Sequence, residues 1–309
     1  MALALVSKFE NGDLWRRTMA TEIPGLDFHI WPDLGDTAQI RMAAFDYNVP
    51  PGTFADMLNL GCIVFLGHGV NYFLERPDLP KGVPVMRLKD PGIISFMTEY
   101  VLLYLLSHRR FQATYRQYQA ERRWQEHIPP FPGDVRIAVL GLGSIGQRFA
   151  EVFVNLGYKV NGWARSPHQL PGISCYHGRD QLAGCLASCD YVVCILPETT
   201  ETRDIIDART LASMKRGAYF INVGRGRLVV EEDLLAALDS GQLSGAALDV
   251  FRTEPLPADS RLWTHPNVVV TPHASGGAPQ GSLPDVAENY RRLLGGRPLI
   301  NIVDPSRGY

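Results

Sequence analysis

The chain has 309 residues, 46% hydrophobic and 20% charged. That is enough for two ordinary domains with sizeable cores, and it excludes extensive disorder. A formal net charge of −2 gives no electrostatic footprint for nucleic acid or another polyanion.

The opening "MALALVSKFE" has a short apolar run with no basic segment before it and no cleavage pattern. It reads as a first strand, not a signal peptide. No run approaches the roughly 18 apolar residues that a membrane span needs. The expected location is the cytoplasm. Five cysteines, Cys62, Cys175, Cys185, Cys189 and Cys194, include no CxxC pair. Although four of them fall within 175–194, their apolar and helix-like contexts favour inert thiols over a metal site, in keeping with a reducing compartment.

Along residues 1–88, "LALVS", "LDFHIW", "IRMAAFDY", "CIVFLG" and "PVMRL" read as five strands, with helices predicted near 12–20 and 51–60. Repeating βα units imply a parallel sheet covered on both faces. Residues 95–126 contain no Gly or Pro and predict one long helix linking two domains. Its first half is apolar nearly all round, so burial against more than one surface is expected. "HIPPFPGD" at 127–134 ends it. A second array follows. "VRIAVLG", "KVNGWA", "YVVCILP", "AYFINVG", "GAALDVF" and "NVVVTPH" read as strands, with helices at 144–157 and 231–241. The late "PLINIVD" is a short extended run.

The first chemical motif is "VLGLGSIGQRFA", where Gly141, Gly143 and Gly146 form GxGxxG between a strand and a helix. In that context Gly141 permits the tight turn, Gly143 lets backbone approach a pyrophosphate, and Gly146 lets helix pack on strand. Free amides around Ser144 and Ile145 would face the phosphates. An NAD-binding chain commonly keeps a carboxylate about 20 residues further on for the ribose 2′-hydroxyl. Here "WARSPH" occupies 163–168, and no Asp or Glu lies between Val152 and Asp180. Arg165 and Ser166 suit a 2′-phosphate instead, and no carboxylate is present to repel it. The expected cofactor is NADP(H) in preference to NAD(H).

Three strand ends, at 221–229, 247–257 and 267–277, bring Arg225, Glu254 and His273 to the rim where ligands bind an open parallel sheet. His273 would give a proton to a carbonyl oxygen while hydride reaches its carbon, and Glu254 would hold the imidazole. Arg225 would hold a substrate carboxylate and polarise the adjacent carbonyl.

With these residues in view, the chain resembles the D-2-hydroxyacid dehydrogenase family. The resemblance rests on 141–146, "LPETTETRDII" (196–206), "INVGRGRLV", "ALDVFRTEPLP" and "TPHAS", and runs through about 95–280. It implies the catalytic set Arg225, Glu254 and His273. It also implies cofactor contacts at Leu196, Pro197, Thr202, Val223, Gly224, Arg225, His273 and Ser275, with Asp249 holding the nicotinamide carboxamide. "FLGHGVNYF" at 65–73 is similar to the family's substrate loop, which would place Leu66, Gly67, His68 and Gly69 against the substrate carboxylate beside Arg225 and His273. His68 and Asn71 depart there from the usual small residue and aspartate.

The implied fold is α/β, with two doubly wound parallel-sheet domains. A Rossmann cofactor domain (96–283) is inserted into a flavodoxin-like substrate domain (1–95 and 284–309), and "PLINIVD" returns to the latter. Within the family, "WARSPH", the long helix with Trp124 and the overall length are most similar to glyoxylate/hydroxypyruvate reductases. That likeness implies a small 2-keto acid substrate lodged between the domains, and a homodimer joined through the cofactor domain. Two alternatives stay open: a dinucleotide-sensing corepressor-type scaffold, and an NAD-dependent enzyme for a larger keto acid. Phe45, Tyr47, His68 and Tyr72 would line a pocket for a larger or aromatic substrate, but packing within the first domain is the expectation for them. A formate dehydrogenase would be better served by a neutral partner for its histidine than by Glu254.

Overall fold

A computed structural model describes residues 1–7, 11–46, 50, 52–67, 71–88, 92–276 and 280–303. The chain divides into two units, one made of Met1–Ile93 with Gly277–Tyr309, the other of Ile94–Gly276.

The first unit builds β1 (Ala2–Val6), α1 (Gly12–Glu22), β2 (Asp27–Ile30), β3 (Ile40–Phe45), β4 (Cys62–Phe65), the short α2 (Asn71–Leu74) and β5 (Val85–Arg87). The strands are uninterrupted apolar runs because both sheet faces are covered, and every residue of β1 and β4 is buried. All pairings are parallel, in the order β2-β1-β3-β4-β5, which is the flavodoxin-like arrangement. One face carries Trp15, Met19, Val286 and Tyr290, and the other Phe45, Phe54, Phe65 and Phe73.

The helix expected at 51–60 does not form. Its hydrogen bonds run three residues back, from Ala55 N to Gly52 O, Met57 N to Phe54 O and Leu60 N to Met57 O. They make successive turns that bury Phe54, Met57 and Leu60. Spacing of three serves such turns as well as a helix, and Gly52 at φ +83° starts the segment in the left-handed region. The late extended run lies beside β5: Val303 N donates to Val85 O, and Arg87 N to Asn301 O.

The second unit contains α3 (Ile93–Arg109), α4 (Gln112–Glu121), β6 (Arg136–Leu140), α5 (Ser144–Asn155), β7 (Lys159–Ala164), β8 (Ile173–His177), α6 (Gly178–Leu186), β9 (Tyr191–Cys194), α7 (Ala208–Ser213), β10 (Ala218–Asn222), α8 (Glu231–Asp239), β11 (Leu243–Leu248) and β12 (Val268–Val270). A last helix, α9 (Leu283–Leu294), belongs to the first unit and packs on α1. The seven parallel strands run β12-β11-β10-β9-β6-β7-β8. Strand order reverses between β6 and β9, so the ligand crevice of a Rossmann fold lies at the carboxyl ends of those two strands. β8 was not expected. It is an edge strand with only partial burial, so its sequence lacks the apolar run of its neighbours.

The single long helix expected at 95–126 is two. Phe111 adopts φ +58° between α3 and α4, and its ring meets Tyr115 and His127. The carboxyl-terminal arm is pinned to α4, because Tyr115 Oη accepts from His127 N at 2.9 Å and Tyr118 Oη lies 3.0 Å from His127 Nε2. Nor is α3 buried on several sides within one chain. It buries Met97, Val101, Leu105 and Arg109 and leaves Phe96, Leu103 and Leu106 open to solvent.

Four cysteines, Cys62, Cys185, Cys189 and Cys194, are buried. Burial pushes the thiols of Cys62, Cys189 and Cys194 up to about 12, so they stay protonated and weakly nucleophilic. Among the described residues no helix is long and apolar enough to cross a membrane.

Candidate active site

The glycine turn joins β6 to α5. Gly141 sits at φ +109°, and a Cβ there would come within 2.9 Å of Ile195 O. At Gly146 a Cβ would fall 1.8 Å from Gly141 O, so only glycine lets the helix close on the turn. Gly143 differs, because a Cβ there would meet nothing within 4 Å. Protein packing does not require glycine at that point, whereas the close approach of a ligand does. Gly143 caps α5 without a side-chain hydrogen bond. The first amides of the helix, from Ser144 onward, lack intrahelical acceptors and are directed as an anion site requires.

Arg165 and Ser166 follow β7 at the same sheet edge. The Arg165 side chain is 83% exposed and lies 3.6 Å from Glu201, itself 68% exposed. A pair this open holds the guanidinium only loosely. Leu196 is buried, while Thr202 Oγ1 donates to Pro197 O at 2.7 Å and fixes the turn after β9. These residues fit a phosphorylated dinucleotide: an uncapped helix end, a glycine with open space above it, and a cation where a ribose carboxylate would otherwise stand.

The catalytic candidates come together through two strand-end loops. After β10, the Asn222 side chain brackets the turn by accepting from Gly224 N and donating to Arg225 O, both at 3.1 Å. Val223 and Gly224 are buried beneath it. A Cβ at Gly226 would fall 1.8 Å from the Phe251 carbonyl carbon. The Arg225 loop therefore lies backbone to backbone on the loop after β11 that carries Glu254. Sequence reading missed Asn222 and Gly226, and the only signal for them was their place inside the "INVGRGRLV" match.

Glu254 uses both oxygens. Oε1 accepts from Phe251 N at 2.9 Å, and Oε2 lies 2.8 Å from His273 Nδ1. Burial alone would raise the carboxyl. The His273 hydrogen bond and charge, the Phe251 N–H and the nearby Arg225 charge together outweigh burial and hold it below its usual range. A carboxylate can only accept, so Nδ1 donates, which makes Nε2 the ring nitrogen that would face a substrate. His273 itself adopts φ +54°.

Asp249, at the end of β11, is fully buried. Its carboxylate accepts from Thr271 Oγ1 at 2.6 Å, Ala274 N at 2.8 Å and Ser275 N at 2.9 Å. It thus organises the turn that presents His273, and Ser275 is buried against it. Leu66 and Gly67 belong to the first unit and are buried. The Leu66 side chain joins the apolar face with Leu3 and Trp15, and Phe45 packs on Phe54 at 4.7 Å, so neither side chain is free to line a pocket. His68, Gly69 and Tyr47 lie outside the described residues, as does the Tyr72 side chain.

Known proteins give the same picture. The family profile "D-isomer specific 2-hydroxyacid dehydrogenase, NAD binding domain" matches residues 101–275. A glyoxylate/hydroxypyruvate reductase A of Photorhabdus laumondii is 34% identical over the whole of both chains. The crystal structure of a D-isomer specific 2-hydroxyacid dehydrogenase from Xanthobacter autotrophicus, in complex with NADPH and MES, superposes with a TM-score of 0.86 at 42% identity, covering 100% of this chain and 99% of that one. An NADPH-dependent glyoxylate/hydroxypyruvate reductase from Sinorhizobium meliloti, in complex with NADP and sulfate, gives a TM-score of 0.87 at 32% identity over the whole of both chains. The chain belongs to the D-isomer specific 2-hydroxyacid dehydrogenase family.

Proposed function

We propose that this chain is an NADPH-dependent reductase that converts a small 2-keto acid of the glyoxylate/hydroxypyruvate type to the D-2-hydroxy acid. The observation that carries the reading is the 2.8 Å His273–Glu254 pair beside Arg225, on the same sheet edge as an uncapped dinucleotide turn. The bound nicotinamide supplies the hydride. Gly143, the α5 amides, Arg165, Ser166, Thr202, Val223, Gly224 and Ser275 are the residues that would hold the cofactor, with Asp249 beside its carboxamide. Arg225 pairs with the substrate carboxylate and draws electron density from the keto oxygen. His273, held by Glu254 through Nδ1, donates from Nε2 to that oxygen as it gains charge, and Glu254, whose carboxyl is held below its usual range, stays ionised throughout. The first unit would form the substrate domain and the second the cofactor domain, with their boundaries at 93/94 and 276/277 in place of the expected 95/96 and 283/284.

The corepressor-type reading is weaker, since a scaffold has no need for a histidine held by a carboxylate at hydrogen-bond distance. We infer a homodimer through the cofactor domain. It would cover Phe96, Leu103, Leu106, Trp124, Ile128 and Phe131, which one chain leaves exposed, Trp124 completely (104%). Large apolar groups on a pinned arm mark an interaction surface. The expected compartment is the cytoplasm.

The test is absorbance at 340 nm with glyoxylate, hydroxypyruvate, pyruvate and phenylpyruvate, each run with NADPH and NADH. Turnover of the two small acids, higher with NADPH, supports the reading. No oxidation of either cofactor by any of the four acids would overturn it.

A further inference from the structure

Asp249 is fully buried, and among the described residues no cationic side chain pairs with it. Its three donors come from Thr271, Ala274 and Ser275, the residues flanking His273. The Thr271 proton is committed to Asp249, so in the 2.6 Å contact between Tyr100 and Thr271 the phenol must donate. The chain of donation is directed: Tyr100 on α3 to Thr271, Thr271 to Asp249, with Asp249 fixing the turn.

That turn is under load. His273 is a non-glycine residue at φ +54°, a conformation that residues with a Cβ rarely adopt. Its own N–H is held by Asp249 O at 2.9 Å and Thr271 O at 3.1 Å. A carboxylate short of one donor would hold the turn less firmly, and with it the 2.8 Å contact between the imidazole and Glu254. Burial pushes the Tyr100 phenol well above its usual range, and the Asp249 charge adds to that push against the opposing Thr271 hydrogen bond. Tyr100 therefore stays a donor across the working pH range.

We propose that Tyr100 and Thr271 are positioning residues for the reduction: their hydroxyls, in series on the buried Asp249 carboxylate, hold the His273 turn so that the imidazole meets Glu254. The proposal rests on the reductase reading above. Neither hydroxyl needs to touch substrate or cofactor.

The test uses the full-length protein with glyoxylate and NADPH. Thr271→Val keeps the shape and removes the hydroxyl. It should lower kcat about 10-fold, with NADPH affinity by fluorescence titration within twofold of the starting protein. Thr271→Ser should recover kcat to within about threefold. Tyr100→Phe should lower kcat about threefold. The deciding measurement is a double-mutant cycle, because a residue that acts through His273 has little left to lose once His273→Ala is in place. Thr271→Val should then cost less than twofold. If Thr271→Val turns over normally, or costs the same factor with and without His273, the relay is wrong. If Thr271→Val does not fold, the cycle of Tyr100→Phe with His273→Ala decides by the same criterion. An unmutated protein inactive on every keto acid would sink the reductase reading itself, whereas an active protein indifferent to Thr271→Val sinks only the relay.

Discussion

Glu254→Gln removes one charge and almost no volume. In the native site Oε2 lies 2.8 Å from His273 Nδ1, which puts the charge centres about 4 Å apart. At an effective dielectric constant near 20, such a pair is worth about 4 kcal/mol. The side chains are 31% and 36% exposed, so solvent screening leaves roughly half of that or less, about 1.5–2 kcal/mol. Glutamine would keep its carbonyl oxygen on Phe251 N and turn its amide N–H toward Nδ1. Nδ1 must then accept, and the neutral ring would have to become an imidazolate to release its Nε2 proton. At pH 7–8 the variant should therefore lose about 10- to 30-fold in kcat, with NADPH affinity preserved. Initial rates of NADPH oxidation with glyoxylate at pH 7–8 read this directly. A variant with unchanged kcat would refute the argument that the Glu254 carboxylate holds His273 with Nδ1 as the donor.

Arg165→Asp replaces a highly exposed cation with a repelling charge, so the NADPH/NADH ratio of kcat/KM should fall about 100-fold or more; an unchanged ratio removes Arg165 from the 2′-phosphate site. Gly226→Ala places a methyl 1.8 Å from the Phe251 carbonyl carbon. It should cost about 3 kcal/mol, lowering Tm by roughly 6–12 °C in a thermal melt, and normal stability with normal turnover would contradict the tight packing described. The double variant Leu103→Arg with Phe131→Ser should shift the protein toward monomer in sedimentation equilibrium, whereas an unaltered mass would point the dimer to another face. The Glu254 carboxyl is held below its ordinary value in the folded protein, so the stability it adds is present above that ordinary value and lost as pH falls through the lower folded one. Denaturant midpoints of the native protein and of Glu254→Gln should accordingly converge below about pH 4, and a gap that stays constant from pH 7 to pH 3 would count against the linkage.

Strands of the two parallel sheets were legible because burial on both faces demands unbroken apolar runs, as in β1 and β6, where Ala2–Leu5 and Ile137–Leu140 are wholly inaccessible. β8 was not, since its half-exposed edge position imposes no such run. Phe54, Met57 and Leu60 satisfied a helical reading and a series of three-residue turns equally, and only the left-handed Gly52 decides between them. The break between α3 and α4 left no trace in composition, because it rests on Phe111 in a conformation that glycine usually takes. At the site, the glycine turn and the three rim residues could be read because each follows a strand. The donors that hold His273 could not, because Tyr100 and Thr271 are 171 positions apart and both look like ordinary helix and strand residues.

The contact at Gly226 has a consequence for anyone altering specificity. Two peptide backbones meet there with no side chain between them, so neither loop has slack with which to accommodate a foreign neighbour. Residues around Arg225 and those around Glu254 should be exchanged with a relative's only as a matched cassette. A graft of one alone would inherit the wrong spacing between guanidinium and carboxylate, even with every polar side chain retained.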